Sequence, residues 1–385
     1  MKRIAILGST GSIGKNALEV INLFPDRFKV VFLSANSNVK LLEEQALRFS
    51  PECISVCDKD ALLKLKGKIK GSIRLVSEDA IEEMLSSCRA DLVVLAISGS
   101  AALRPLLCSI NAGCDVAMAN KEALVCAGEI IMARARSKKI KILPVDSEQS
   151  AIWQCLEGED RNFLKKVYLT ASGGPFLEAP LRNLKNISVE KVLAHPRWNM
   201  GRKISVDSAT LVNKGLEVIE AMHLFGLDVN QIKVLIHPQA IVHSMVEFVD
   251  GSLKAQASVT DMRIPIQYAL SYPERLPAKS SLFLDFYKLK ELNFDKPDLK
   301  KFPCLGFALE VAKKMGNAPC IFSAASEKAT EAFLEKRIGF LDIPKVIEYV
   351  LSKSCYIKTI DLGVLLREDA WAKETALAKI ERIGH

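Results

Sequence analysis

Residues 1–25 read MKRIAILGSTGSIGKNALEVINLFP. The run RIAILG (3–8) is apolar and short enough for a buried strand, and GKNALEVINLFP carries apolar residues at helical spacing. Gly8, Gly11 and Gly14 stand at the junction. Glycines there permit a tight turn and let backbone N–H groups approach a pyrophosphate at the helix N-terminus. The spacing G-x-x-G-x-x-G is a variant of the dinucleotide fingerprint G-x-G-x-x-G. Placed directly after the first strand, it predicts a dinucleotide site; the alternative is a glycine-rich turn that holds no ligand. The same stretch begins like a secretory signal, but its apolar run stops at Leu7 and glycines follow, so the expectation is a cytosolic chain.

Outward from this unit the pattern repeats. FKVVFLSA (28–35), CISV, DLVVLAIS (91–98), DVAMA (115–119) and KILPVD read as strands separated by helical stretches. Strands alternating with helices mean β-α-β units and a parallel sheet. Residues 1–146 are therefore predicted to be an α/β, Rossmann-like doubly wound domain, with ligands at the carboxyl ends of its strands. Over residues 147–272, KKVYLTAS, KVLIHP, IVHSMVEFV and SLKAQASV mix with one long helix expected over 208–225, which suggests an α+β domain with an antiparallel sheet. Residues 273–300 are proline-rich and read as a linker, and 301–385 as a C-terminal helical bundle.

Composition narrows the classes. Of 385 residues 49% are hydrophobic and 25% charged, an ordinary globular balance. No apolar run approaches the ~20 residues of a membrane-spanning helix. The ten cysteines are scattered without a C-x-x-C pair, which argues for reduced core thiols over a disulfide scaffold or zinc finger. The net charge of +8 favours anionic partners. Basic clusters at 64–70 and 134–141 lack aromatic interleaving, so phosphorylated small molecules suit the charge better than nucleic acid.

The second strand bears on the cofactor. An NAD site places an acid about 20 residues past the glycines to hold the ribose 2′-hydroxyl. Here the strand ends in Ser34, Asn36, Ser37 and Asn38, with no acid from 27 to 42, so NADPH is expected. Another feature is LPVDSEQ (143–149), where Asp146 and Glu148 lie two apart and face one side of an extended strand. Asn213 and Glu217 stack at i and i+4 beside Lys214. Three oxygen donors suit a hard cation, Mg²⁺ or Mn²⁺. Asp146 could equally cap a helix, and Glu217 could face solvent.

GSTGSIG, ANKEALV, PVDSEQSAIWQ, TASGGPF, HPRWNMGRKISVDSATLVNKGLEVIEA, IHPQAIVHSMVEF and DMRIPIQYAL occur in this order. Together they resemble the 1-deoxy-D-xylulose 5-phosphate reductoisomerase family of the non-mevalonate isoprenoid route. The resemblance implies an NADPH-dependent, Mg²⁺- or Mn²⁺-requiring homodimer, an oxidoreductase and isomerase that yields 2-C-methyl-D-erythritol 4-phosphate. Its chemistry would be retro-aldol cleavage and re-aldol joining of a sugar phosphate, then hydride delivery. Carried onto this chain, Asp146, Glu148 and Glu217 become metal ligands, with Lys121 and His195 also catalytic. Thr10, Gly11, Ser12 and Ile13 match the pyrophosphate loop; Asn120, Glu122 and Gly201 match cofactor contacts, and Asn36, Ser37 and Asn38 the 2′-phosphate end. Substrate contacts fall on Lys121, Ser147, Glu148, Ser172, His195, Ser208, Asn213, Lys214 and Glu217. The loop 194–203, with Trp198 and Met200, would be a mobile lid.

Two stretches depart from the family pattern. Asn36-Ser37-Asn38 stands where many members have Gly-Lys-Asn, and Ser326 stands where Asn is expected. A metal-independent NADP-dependent semialdehyde dehydrogenase would share the glycine loop but leaves the three carboxylates unexplained. A nucleic-acid-binding NADP sensor has no recognition motif to support it.

Overall fold

A computed structural model describes residues 1–58, 60, 73–76, 80–194, 197–198 and 200–383; the basic cluster at 64–70, with His195, lies outside them. The chain forms two compact units, Met1–Ala123 with Ile131–Ser150 and Met262–Lys279, and Leu124–Ile130 with Ala151–Asp261 and Ser280–His385.

The first unit is built on a parallel sheet in the order β4-β3-β2-β1-β5-β6-β7. Its strands are β1 (Lys2–Leu7), β2 (Phe28–Ala35), β3 (Cys53–Val56), β4 (Arg74–Val76), β5 (Leu92–Leu95), β6 (Asp115–Met118) and β7 (Ile142–Pro144). Ile4–Leu7, Cys53–Val56 and Leu92–Leu95 are buried throughout, as strands covered on both faces must be. The order reverses between β1 and β5, which makes their carboxyl ends the topological switch point. Two glycines are obligatory there. Gly8 has φ +90°, and a Cβ on it would lie 2.6 Å from Ala96 O; a Cβ on Gly14 would lie 2.4 Å from Gly8 O. The helix Arg263–Ser271, read from the sequence as part of the second region, packs instead on Ser12–Leu23 in this unit. Lys2 Nζ donates to Leu270 O at 3.0 Å, and Arg263 pairs with Glu19 at 3.6 Å.

In the second unit β8 (Leu164–Ala171), β9 (Ile232–Ile236), β10 (Val242–Phe248) and β11 (Leu253–Ala257) form a sheet in the order β11-β10-β8-β9. The expected antiparallel sheet is in fact mixed. β10 and β11 form a tight hairpin turning at Gly251 (φ +86°), and β8–β10 is antiparallel, but β8–β9 is parallel. A parallel pair needs a long crossover, and residues 172–231 with their helices supply it. The segment read as a linker is tied to β9: Ile236 and Asp295 exchange backbone hydrogen bonds of 2.8 and 2.9 Å. His237 stacks on Phe294, donates from Nδ1 to Asn293 O, and accepts at Nε2 from Ile241 and Val242, a structural use of a neutral imidazole. The C-terminal helices are Pro303–Lys314, Ala318–Leu334, Asp342–Lys353 and Leu362–Ile383. No helix among the described residues is long and apolar enough to cross a membrane.

The long helix expected over 208–225 is two. Arg202–Ala209 ends, Leu211 takes left-handed geometry (φ 57°), and Val212–Phe225 begins in a new direction. Such a conformation costs a branched residue roughly 1–2 kcal/mol. Burial of the Leu211 side chain against Ala171, Ile236, Phe302 and Leu305 offsets that cost. The second helix then packs on Pro303–Lys314 so closely that a Cβ on Gly215 would lie 2.3 Å from Ala308 Cβ. Gly306, on the facing helix, has nothing within 4 Å of its Cβ position. Gly215→Ala gains about 1 kcal/mol of helix propensity but incurs an overpacking cost of about 1–3 kcal/mol, so it lowers the urea midpoint. Gly306→Ala takes the propensity gain alone and raises it; shifts of the same sign in both variants would contradict this packing.

Candidate functional site

In the first unit the glycine loop is fixed from both sides. The amides of Gly8 and Ser9 donate to Ser34 O at 3.1 and 2.8 Å, while buried Ser9 exchanges hydrogen bonds with Gln45 of helix Val39–Phe49. Thr10 and Gly11 complete the turn, Ser12 and Ile13 open the helix, and Gly11 and Ser12 are exposed. Gly11 caps helix Ser12–Leu23 without a side-chain hydrogen bond, and the N–H groups of such a first turn suit an anion. At the end of β2, Asn36, Ser37 and Asn38 are all exposed. Asn38 also caps the following helix by accepting from Leu41 N at 3.2 Å.

At the carboxyl ends of β6 and β7 lie Asn120, Lys121, Glu122, Asp146, Ser147 and Glu148. Asn120 is buried and fully committed within the protein. Its Nδ2 donates to Ile97 O, Gly99 O and Glu122 Oε2 at 2.9, 3.0 and 3.0 Å, and its Oδ1 accepts from Ala123 N at 2.8 Å. It ties the loop after β5 to the start of helix Glu122–Ser137, a role that the ANKE motif alone did not reveal. Lys121, only 5% exposed, places its ammonium 2.5 Å from Asp146 Oδ2. Asp146 Oδ1 accepts from Ser147 N at 3.1 Å, and Ser147 Oγ donates to Glu148 Oε2 at 2.5 Å. Asp146 therefore does cap helix Ser147–Leu156, and it does so while offering a second oxygen to a cation.

The second unit carries the remaining groups. Glu217 is fully buried on Val212–Phe225. Asn213 Nδ2 donates to its Oε1 at 2.5 Å, and Lys214 Nζ donates to its Oε2. Burying a carboxylate to 0% exposure requires partners of this kind. Ser208 sits in the last turn of Arg202–Ala209 and not at a helix N-terminus, because Leu211 breaks the helix after it. Its partner in space is the turn after β8: a Cβ on Gly174 (φ +69°) would lie 3.2 Å from Ser208 O, and Gly174 N donates to Ser172 Oγ. Ser172, Ser208 and the start of the helix bearing Asn213 and Lys214 are thus gathered in this unit. Of the segment 194–203, Arg197 donates to Pro238 O at 3.0 Å, Trp198 lies 6.0 Å from His243, and Gly201 caps Arg202–Ala209 in an exposed position.

The donor types suit a hard divalent cation. Asp146, Glu148 and Glu217 offer carboxylate oxygens alone, and in each unit a buried ammonium stands beside a carboxylate, Lys121 at Asp146 and Lys214 at Glu217.

Comparisons with known proteins agree with this layout. The 1-deoxy-D-xylulose 5-phosphate reductoisomerase family matches residues 4–128, its C-terminal domain residues 142–225, and a further DXP reductoisomerase C-terminal domain residues 257–375. The chain is 47% identical to the 1-deoxy-D-xylulose 5-phosphate reductoisomerase of Pelotomaculum thermopropionicum over 383 residues, 99% of each chain. It is 48% identical to that of Desulfosudis oleivorans over 379 residues, covering 98% of this chain and 99% of the other. Among solved structures, the Zymomonas mobilis reductoisomerase in complex with NADPH superposes with a TM-score of 0.91 at 39% identity over 99% of each chain. A DOX-P reductoisomerase in complex with NADPH, fosmidomycin and magnesium gives 0.92 at 39% identity, covering 99% of this chain and 98% of the other. With matches of this identity over nearly its whole length, the chain belongs to the 1-deoxy-D-xylulose 5-phosphate reductoisomerase family.

Proposed function

We propose that this chain rearranges 1-deoxy-D-xylulose 5-phosphate and reduces the product with NADPH to 2-C-methyl-D-erythritol 4-phosphate, in the presence of Mg²⁺ or Mn²⁺. Kinship over the full length with enzymes of that name is the observation that carries this reading. The relatives carry the reductoisomerase name, which leaves the semialdehyde-dehydrogenase alternative without support.

Asp146, Glu148 and Glu217 would hold the cation, whose contribution when bound is to polarise the substrate's hydroxyl and carbonyl oxygens. Lys121 pairs with Asp146 at 2.5 Å and, at the carboxyl end of β6, can donate a proton to a substrate oxygen as charge develops there. Ser147 orients Glu148 through their mutual hydrogen bond. Ser172, Ser208, Asn213 and Lys214 would bind the substrate phosphate, with hydroxyls and an amide supplying direction and the ammonium supplying charge. His195, with the segment through Gly201, would close over the ligand and exclude water.

For the cofactor, Thr10, Gly11, Ser12 and Ile13 would cradle the pyrophosphate, and Glu122 and Gly201 would add contacts. Asn120, whose side chain is spent internally, would contribute through its backbone. The exposed Asn36, Ser37 and Asn38 would meet the 2′-phosphate by hydrogen bonds in place of a lysine charge. The three sequence regions correspond in this reading to cofactor binding at 1–146, catalysis and dimerisation at 147–272, and a helical domain at 301–385 joined by 273–300. A cytoplasmic homodimer is the proposed form, and the exposed edge strand β11 with exposed Phe283, Phe286 and Tyr287 supports its dimeric part.

Purified protein with 1-deoxy-D-xylulose 5-phosphate should oxidise NADPH with Mg²⁺, stop in EDTA, and form the branched erythritol phosphate. Glu148→Gln should reduce kcat at least ~10²-fold, as loss of a group that acts on the reacting centre does. Equal NADPH consumption with and without EDTA would refute the metal-dependent reaction. Ser37→Asp places a negative charge against the 2′-phosphate; kcat/KM for NADPH should fall ~10-fold or more, about 1.4 kcal/mol, with NADH nearly unchanged. A parallel fall for both cofactors would remove Ser37 from the 2′-phosphate site.

A further inference from the structure

Among the described residues a second cluster of metal-ligand types lies wholly within the second unit. Cys126, Cys320 and Asp369 present their ligand atoms within 4.8 Å of one another. Cys126 belongs to Leu124–Ile130 and precedes Ala127, whose φ −135° and ψ 25° kink the helix. Cys320 lies on the buried helix Ala318–Leu334, and Asp369 lies on Leu362–Ile383. The three positions are far apart in sequence, so no motif announces them.

We propose that Cys126, Cys320 and Asp369 form a binding site for a thiophilic divalent cation, Zn²⁺ being the commonest of that class. Four features support it. Both thiols are buried, at 4% and 1% exposure, in an environment where soft sulfur ligands replace water. Zinc–sulfur and zinc–oxygen bonds of about 2.0–2.3 Å set neighbouring ligand atoms under ~4 Å apart, so the metal-free cluster needs only a small contraction. Asp369 is held by one oxygen alone: Oδ2 pairs with Lys373 at 2.9 Å, whereas buried Oδ1 has no hydrogen-bond partner. Ligating carboxylates are themselves hydrogen-bonded in protein metal sites, and Lys373 gives Asp369 that support. The charges also close. A divalent cation with two thiolates and a carboxylate carries one negative charge, which Lys373 cancels.

The surrounding groups fit that balance. Lys373 lies 3.8 Å from Glu327, whose carboxyl is pushed up by burial. Burial pulls the Lys373 ammonium down, but its hydrogen bond to Asp369 and the nearby carboxylates outweigh this and raise it. Without metal, the Cys320 thiol is held protonated by its hydrogen bond with Cys126 and by burial, and it lies 3.5 Å from Leu365 O. Metal binding must therefore release protons and strengthen as pH rises. Asp369 and Lys373, at 19% and 21% side-chain exposure, mark the way in. The site is distinct in chemistry from the all-oxygen carboxylates assigned to catalysis.

The test is Co²⁺ titration of the full chain after metal removal by a chelator, because cobalt bound by thiolates gives charge-transfer absorption that oxygen ligands cannot produce. One equivalent of Co²⁺ should give that absorption with tetrahedral visible bands, and Zn²⁺ should bleach both. Cys126→Ser and Cys320→Ser should each abolish the charge transfer of the pair, and Asp369→Asn should weaken binding about 10- to 100-fold. Should a serine variant not fold, wild-type protein answers the question: Zn²⁺ should protect Cys126 and Cys320 from iodoacetamide, read peptide by peptide in a mass spectrometer. Absent charge transfer, bands that survive in both serine variants, or equal alkylation with and without Zn²⁺ would each overturn the proposal.

Discussion

Two carboxylates separated by one residue, at the buried end of a parallel strand, repel each other unless positive charge is close. The ammonium of Lys121, 2.5 Å from Asp146, supplies part of that charge. Removing one partner of so buried a pair leaves an uncompensated ion at a cost of about 3–5 kcal/mol. Much else follows from the need to hold these groups. Lys121 is fixed because Asn120 locks the loop after β5 to the helix that begins at Glu122. Glu148 is fixed by Ser147, and Asp146 by the amide it caps. The second unit solves the same problem at Glu217, where Lys214 and Asn213 occupy its two oxygens and the close Gly215–Ala308 contact anchors the helix that carries all three.

Such an arrangement suits a cation that exchanges. Carboxylates paired with lysines have their burial compensated, and each keeps lone pairs for a metal ion. Mg²⁺ prefers few protein ligands and keeps its remaining positions for water and substrate oxygens, which three carboxylates permit.

What the sequence disclosed depended on how local the physics was. The strand–glycine–helix opening was readable because Gly8 and Gly14 answer to contacts within their own turn and with the neighbouring β5 end. β4 left no trace: its three residues, partly exposed at the sheet edge, carry too little periodicity. The break at Leu211 was also invisible, since an apolar residue at φ 57° is paid for by tertiary burial and not by a local turn signal. Ser208 was consequently expected at a helix start and stands at a helix end. The parallel pairing of β8 with β9 likewise depends on a crossover of some sixty residues, beyond the reach of any local pattern. Asp146, Glu148 and Glu217 were legible as candidates from residue type and spacing, as was Lys214 beside Glu217, but the pairing of Lys121 with Asp146 became clear only in the folded chain. Cys126, Cys320 and Asp369 show the limit most plainly, because their proximity is wholly tertiary.

Electron paramagnetic resonance of Mn²⁺ tests the central assignment most directly, since it counts bound ions without requiring turnover. Wild-type protein should bind one Mn²⁺ per chain, and Asp146→Asn, Glu148→Gln and Glu217→Gln should each weaken that binding at least ~10-fold. Unchanged Mn²⁺ affinity in any one of the three would remove that carboxylate from the metal site, and unchanged affinity in all three would place the catalytic cation elsewhere.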